Sequence, residues 1–305
     1  MAFFCKDNCV QLFLLTTLVF LIFASNTLLC RAALVSYGME PLHYTALRAL
    51  SAAAMLALLC ASGRIRGASS PEQGETIWKR VWRESSWPAA LFLFGYMFFF
   101  SLAFVRISSA AGTLVLNVSV QVGMVGFGLW QGMRMGKGQV AGFAIALGGL
   151  ILLVGSSLTV PSPWHALLIG LSGLSWAGFC LAGAHVRAAA LATAGNFLRC
   201  VPLGLLTLCA ALALESAPPL PGALCALAAG GIASSLGYIL WYSIQPRYDL
   251  VSCSIIQLAV PVMTALLAVP VLSEPITLRL VLCSALILGG IALAIMAGKR
   301  KLQQS

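Results

Sequence analysis

The sequence predicts an all-α integral membrane protein of ten transmembrane helices, arranged as two inverted five-helix repeats. Three observations carry this. The 305-residue chain is 60% hydrophobic and 9% charged, with a mean hydropathy of +0.98, whereas soluble domains carry about 25% charged residues. Ten apolar stretches, each roughly 18 to 24 residues, are long enough to cross a hydrocarbon core ~30 Å thick as helices. A carboxamide also recurs at the same place in the two halves. SAAGTLVLNVSVQVGMVGFGLW aligns with the stretch from Ile255 to Pro275 so that Asn117 falls on Gln257, Gln121 on Pro261 and Met124 on Thr264.

The spans are 12–35, 42–61, 88–105, 110–130, 140–157, 164–184, 192–214, 223–244, 250–272 and 280–297. The first five form a repeat over residues 12–157 and the last five a repeat over 164–297. They fill most of the chain and leave no room for a soluble domain, so function has to lie among the helices. The net charge of +10 is distributed by side. With the N-terminus inside, the inner segments hold Lys6, Arg64, Arg66, Lys79, Arg80, Arg83, Arg134, Lys137, Arg187, Arg247 and the tail Lys299, Arg300 and Lys301, while the outer loops hold Arg106 and Arg279. This is the positive-inside pattern. It expects a multi-pass plasma-membrane protein, of the bacterial inner-membrane kind, with both termini cytoplasmic. The basic excess then faces anionic lipid of the bilayer and no nucleic acid. Eight of the ten cysteines fall within apolar spans, where the thiol acts as a small hydrophobe. Cys5 and Cys9 stand ahead of the first helix and are read as inert. The first span is too long for a signal peptide.

In the first span Ser25, Asn26 and Thr27 form a polar triplet that should face the bundle, and Arg31 lies within snorkelling reach of the interface. The second span starts at Pro41, a residue suited to a first helical position, and carries Arg48 two turns in. The seventh carries Arg199 at the corresponding depth, NFLRC against TALRA. Two readings stand for these arginines: contacts to an anionic substrate group, or structural locks onto helix carbonyls. Between Ser62 and Trp87, the residues Ile77, Trp78, Val81 and Trp82 share a helical face beside Lys79, Arg80 and Arg83, as in an amphipathic anchor on the inner leaflet.

The third span is aromatic, with Tyr96 its polar-tipped member. The eighth places Ser235, Tyr238 and Tyr242 on one face, with Ser234 and Trp241 adjacent. Tyr238 lies deep, whereas Trp241 and Tyr242 suit an interfacial belt or a binding wall equally. The fifth and tenth spans share central glycine pairs, Gly148 with Gly149 and Gly289 with Gly290, expected to form a packing surface or a homodimer contact. The sixth holds Ser172, Ser175 and Trp176. Its G-L-S-G string fits an intramembrane serine protease, which needs a histidine on another helix beside the serine as base, but no histidine follows His185 and His43 is expected near the outer surface. No carboxylate cluster suits a metal, so no enzyme and no cofactor is expected. In the ninth, Pro261 lacks an N–H and clashes with the carbonyl of Gln257, which should leave a helix break and an unpaired acceptor.

On the strings LSWAGFC around Ser175 and Trp176, LGYILWYSIQ around Tyr238, VPVMTALLAVPVLSEPIT from Val260 to Thr277, and the glycine pairs of the fifth and tenth spans, the chain resembles the drug/metabolite transporter superfamily, of the type with two EamA repeats. That resemblance covers all ten spans. It implies a central cavity lined by spans one, three, four, six, eight and nine, with five and ten peripheral. Two positions depart from the family pattern, Gln121 where the first repeat usually has proline and Arg134 where it has an acidic residue. The second repeat keeps both, as Pro261 and Glu274, and Glu274 is expected to cap the tenth helix.

The candidate substrate contacts are therefore Asn26, Tyr96, Asn117, Gln121, Ser175, Trp176, Tyr238 and Gln257, with Arg48 and Arg199 as candidate anion contacts and Pro261 as the helix break. None of the eight carboxylates lies at mid-membrane, unlike the buried glutamate of related proton-coupled exporters of cationic drugs. Amides, hydroxyls, aromatics and two arginines suit a neutral, zwitterionic or anionic small molecule. An amino acid or similar metabolite, exported by alternating access, is the favoured expectation. A lipid or lipid-linked-sugar flippase and a non-transporting membrane scaffold are the alternatives.

Overall fold

The computed structural model describes residues 3–65, 75–107, 109–155, 162–184, 186–272 and 277–302. Every regular element among them is helical. In chain order these are α1 (Phe3–Arg31), extended by a π-helical turn (Ala32–Ser36), α2 (Pro41–Ala61), α3 (Ile77–Glu84), α4 (Trp87–Phe104), α5 (Ser109–Trp130), α6 (Lys137–Gly155), α7 (Pro163–Gly183) and α8 (Ala189–Leu214). Then come α9 (Leu220–Ala228), a second π turn (Ala229–Ser234), α10 (Ser235–Ile244), a 3-10 turn (Gln245–Arg247), α11 (Leu250–Ile256), α12 (Ala259–Leu272) and α13 (Leu278–Leu302). Ten stretches are long and apolar enough to cross a membrane, one for each expected span. The protein is an all-α, ten-span membrane protein. Cys5 and Cys9 do not precede the first helix as expected, because α1 already starts at Phe3 and no proline or glycine interrupts that stretch. His185 and Glu274, with its expected capping role, lie outside the described residues.

The chain forms two compact units, each drawing on both halves of the sequence. One contains residues up to Phe94 and Ala182–Arg247, the other Gly95–Leu181 and the residues from Tyr248 on.

In the first unit α2 packs along α8 and against the π turn and α9. Its buried face is lined by alanines 46, 49, 52 and 53, all nearly inaccessible. Glycine is needed where the π turn crosses α2, since a Cβ on Gly230 would overlap the Arg48 carbonyl and the Ser51 hydroxyl. The amphipathic segment forms α3 as expected, started by Thr76, whose side chain accepts from the Lys79 amide. Val81 and Arg80 are its buried face, while Trp78 and Trp82 stay 40% and 45% exposed. It lies on α8, and a Cβ at Gly195 would stand 2.5 Å from the Val81 carbonyl. A carboxylate caps α2: Glu215 accepts from the backbone amides of Leu42 at 2.7 Å and His43 at 2.9 Å, and from His43 Nδ1 at 2.8 Å. His43 is buried.

In the second unit α6 and α13 lie against each other, and α11 packs on α5 and α13. One glycine of each pair, Gly149 and Gly290, together with Gly142, explains the approach of α6 and α13. A Cβ on Gly142 would fall 2.5 Å from the Gly290 carbonyl and 2.6 Å from the Ala294 amide, and one on Gly149 would fall 2.9 Å from Ile287 Cγ1. Lipid supplies no hydrophobic drive for helices to associate, so close backbone approach through small residues carries the contact. Gly148 and Gly289 face away, with nothing within 4 Å of a Cβ.

Two glycines on one helix should therefore respond oppositely to the same change. Gly142→Ala forces overpacking against backbone, with a cost of about 1–3 kcal/mol, whereas Gly148→Ala enters open space and gains about 0.5–1 kcal/mol of helix stability. Melting temperatures of the two variants in detergent, one below and one at or above that of the wild type, check this.

Candidate functional site

Polar side chains gather at two places inside the spans, one in each unit. In the first unit the π turn re-aims the helix that follows α9, so that Ser234 and, a turn later, Tyr238 face α2. Arg48 is 1% exposed. Its Nε donates to Ser234 Oγ at 3.1 Å and its Nη2 to the Tyr238 hydroxyl at 2.9 Å. A guanidinium within a span costs about 2.5–3.5 kcal/mol on insertion scales, and two charge-assisted bonds worth about 1.5–3 kcal/mol each offset it. Asn26 reaches the same Ser234 Oγ, through Nδ2 at 3.2 Å. The other amide atom of Asn26, Oδ1, is buried with no hydrogen-bond partner. Exchanging the amide's O and N would leave its nitrogen in that position instead, so one polar atom of this carboxamide lacks a partner either way. Rings enclose the cluster: Phe23 meets Tyr238 edge-on at 5.6 Å and Phe197 stacks on it at 5.8 Å. Trp241 and Tyr242 are 0% and 1% exposed, which places them in the interior and not in an interfacial belt.

Arg199 takes no part in this cluster. It donates to Ser85 Oγ and to the Trp82 carbonyl at 3.0 Å, with its guanidinium 4.1 Å from the centroid of the Trp82 ring. A cation over an exposed indole is worth about 0.5–1 kcal/mol. Arg199 thus pins α3 and the start of α4 to α8, the lock of the two readings.

In the second unit α11 ends at Ile256 and α12 begins at Ala259. The break falls at Gln257 and Leu258, where Pro261 demands it. The Gln257 carbonyl, expected to be unpaired, accepts from the Val260 amide at 3.0 Å. The chain tightens into 3-10-type bonding there, which supplies a donor from three residues on in place of the missing one. The Gln257 side chain is fully engaged. Its Oε1 accepts from Trp176 Nε1 at 2.6 Å, and its Nε2 donates to the Cys253 carbonyl at 3.1 Å and lies 3.2 Å from Met124 Sδ. The indole can only donate, which fixes the amide's orientation. The Tyr96 ring lies 4.9 Å from that of Trp176.

Gln121 donates to the Ser254 carbonyl at 2.9 Å, so the residue at the proline position of the first half supports the broken helix. Asn117 bonds the Thr113 carbonyl of its own helix at 2.8 Å. Ser175 lies beside Gly95, with its Oγ 3.0 Å from where a Cβ there would be. Asn26, Asn117 and Gln257 are all at most 9% exposed, turned inward and away from lipid. The structure brings Asn26, Arg48 and Tyr238 together, and separately Tyr96, Trp176, Gln257 and Gln121. Sequence reasoning underweighted Ser234, noted only as a neighbour of the tyrosine face, and missed the π turn that delivers it. The small residues of AGGIAS were its one signal.

Polar clusters at helix irregularities within an otherwise apolar ten-span bundle are the marks of a membrane transporter. Comparison with known proteins agrees. Residues 163–296 match the EamA-like transporter family. An uncharacterized protein of Pseudomonas aeruginosa is 39% identical over 283 residues, 92% of this chain and 93% of that one. A solved crystal structure that is 21% identical shares the fold, with a TM-score of 0.71 over 94% of this chain and 98% of its own. The chain belongs to the EamA-like transporter family.

The Gln257–Trp176 bond should behave as a unit. Gln257→Leu strands a buried indole N–H, at a cost of about 1–3 kcal/mol, and adding Trp176→Phe should recover part of the loss. A double-mutant cycle on melting in detergent should return a coupling energy of at least about 0.5 kcal/mol.

Proposed function

We propose that this protein carries a small neutral, zwitterionic or anionic metabolite, of the amino-acid class, out of the cell across a bacterial plasma membrane by alternating access, with both termini cytoplasmic. The observation that carries the reading is Asn26, one of whose amide atoms is buried without a partner in the same cluster as the Arg48 guanidinium and the Tyr238 hydroxyl. A buried, unsatisfied polar atom costs about 1–3 kcal/mol, which a complementary polar group on a bound solute would relieve. The neighbouring positive charge favours a carboxylate on that solute over a second cation. In the other unit the Trp176–Gln257 pair at the helix break supplies an aromatic wall and a fixed dipole.

Transport fits these residues better than catalysis. The Ser172 hydroxyl donates to the Tyr96 carbonyl at 2.9 Å, and His165 bonds Ser162 one turn away at the start of α7, so neither makes a nucleophile with its base. The reading includes no cofactor. A homodimer through α6 and α13 would use the outer faces that carry Gly148 and Gly289.

Proteoliposomes loaded with labelled amino acids and small organic acids test the proposal. Asn26→Ala, Asn117→Ala and Gln257→Ala are each expected to keep their helical circular dichroism and lose about tenfold or more in flux, the worth of one buried hydrogen bond. Wild-type flux from all three would exclude these carboxamides as the solute site. Movement of labelled lipid instead of solute would identify a flippase, and no movement of either would identify a scaffold.

A further inference from the structure

A cavity of about 420 Å³ in the first unit belongs to neither polar cluster. It opens where the chain enters α8 and where α10 ends, on the side that the charge distribution expects to be cytoplasmic. Arg187 and Arg247 line it from separate segments, with Tyr242, Ser243 and Ala189 to Leu191, and no carboxylate is among its described lining residues. Both arginines are exposed, and neither is in an ion pair among the described residues, where the pairs are His43–Glu215, Arg83–Glu75 and Arg83–Glu84. The wall behind them is built: Tyr242 is 1% exposed, and it lies so close to Gly183 that a Cβ there would overlap the ring.

We infer that this cavity binds a phosphate-bearing anion. Two arginines lining one cavity from separate segments suit phosphate oxygens in charge, and each guanidinium fork offers planar, bidentate geometry. The first-turn amides of α8, which no side chain caps, add donors of the same polarity. The volume exceeds that of a phosphate group and leaves room for what the phosphate is attached to. A smaller cavity of about 310 Å³ shares Arg187, but Glu84 lines it and its other arginine, Arg83, pairs with Glu75 at 2.5 Å, so the anion belongs in the first. The phosphate has two sources, an anionic lipid headgroup of the adjoining leaflet or a free phosphate, and their chemistry at the arginines is the same.

The test uses the full-length protein. Native mass spectrometry after exchange between phosphatidylglycerol and phosphatidylcholine measures retained lipid, and the shift in melting temperature with inorganic phosphate in lipid-free detergent measures the free anion. The wild type is expected to retain phosphatidylglycerol over phosphatidylcholine or to be stabilised by phosphate. Arg187→Gln with Arg247→Gln should weaken the response roughly thirtyfold, from about fivefold per arginine at a membrane surface. Arg187→Lys with Arg247→Lys keeps the charge and loses the fork, so its affinity should lie between the two, and it decides the matter if the glutamine pair does not fold. Retention of phosphatidylglycerol alone assigns the site to lipid, and a phosphate shift alone assigns it to a soluble anion. Absence of both from the wild type, or equal responses from the wild type and whichever pair folds, overturns the inference. Neither measurement involves solute flux, so the outcome is independent of the carrier reading.

Discussion

The constraint behind every polar contact in this protein is that hydrocarbon offers no hydrogen bonds. A polar atom inside a span has to find its partner in the chain or in something the chain binds. Ser234 answers that demand for two residues at once, accepting from Arg48 and Asn26. Gln257 answers it for Trp176 and for its own α11. Both stand where the helix is irregular, Ser234 at the end of a π turn and Gln257 at a break. An irregular turn rotates side chains off the regular helical face and frees backbone groups, and inside a membrane both are tolerated only where protein encloses them. The same constraint therefore selects the position of the polar residues and the position of the distortions.

Glycine makes the enclosure close enough to work. Gly230 lets the π turn lie on the Arg48 carbonyl, Gly195 lets α3 lie on α8, and Gly142 with Gly290 lets α6 and α13 meet backbone to backbone. At each place a single methyl group would push the elements apart by more than the length tolerance of a hydrogen bond. The polar networks are short-range and the packing sets their distances, so neither can be changed alone.

The spans were legible because twenty apolar residues have one stable form in a bilayer, and ten such stretches appear where expected. The break at Gln257 was legible from one residue, since proline's missing N–H and its ring act four residues back regardless of context. The fate of the freed carbonyl was not, because its new donor, Val260, comes from a local tightening that several sequences permit. Arg48 and Arg199 are expected at matching depths in the two halves and look alike in sequence. They differ because of what lies opposite: Ser234 and Tyr238 in one case, Ser85 and Trp82 in the other, partners more than a hundred residues away that no local pattern names. The π turn left almost no trace, since alanine and glycine accept α- and π-helical geometry with nearly equal ease.

The electrostatics of the first cluster bear on what it could admit. A guanidinium keeps its charge in any protein environment, so Arg48 contributes a fixed positive potential to the interior of its unit whatever its hydrogen-bond partners are. At an effective dielectric of about 20, a unit charge roughly 8 Å away feels about 2 kcal/mol. For an isolated cation that is a penalty of some thirtyfold in occupancy, and for an anion an equal gain. A zwitterion with its carboxylate toward Arg48 and its ammonium farther off keeps most of that gain, and the unpartnered amide atom of Asn26 offers a neutral contact to whatever lies beside the charge. Charge and hydrogen bonding in this cluster thus both support the solute class proposed above, and they do so from residues on three different elements, α1, α2 and the turn that leads into α10.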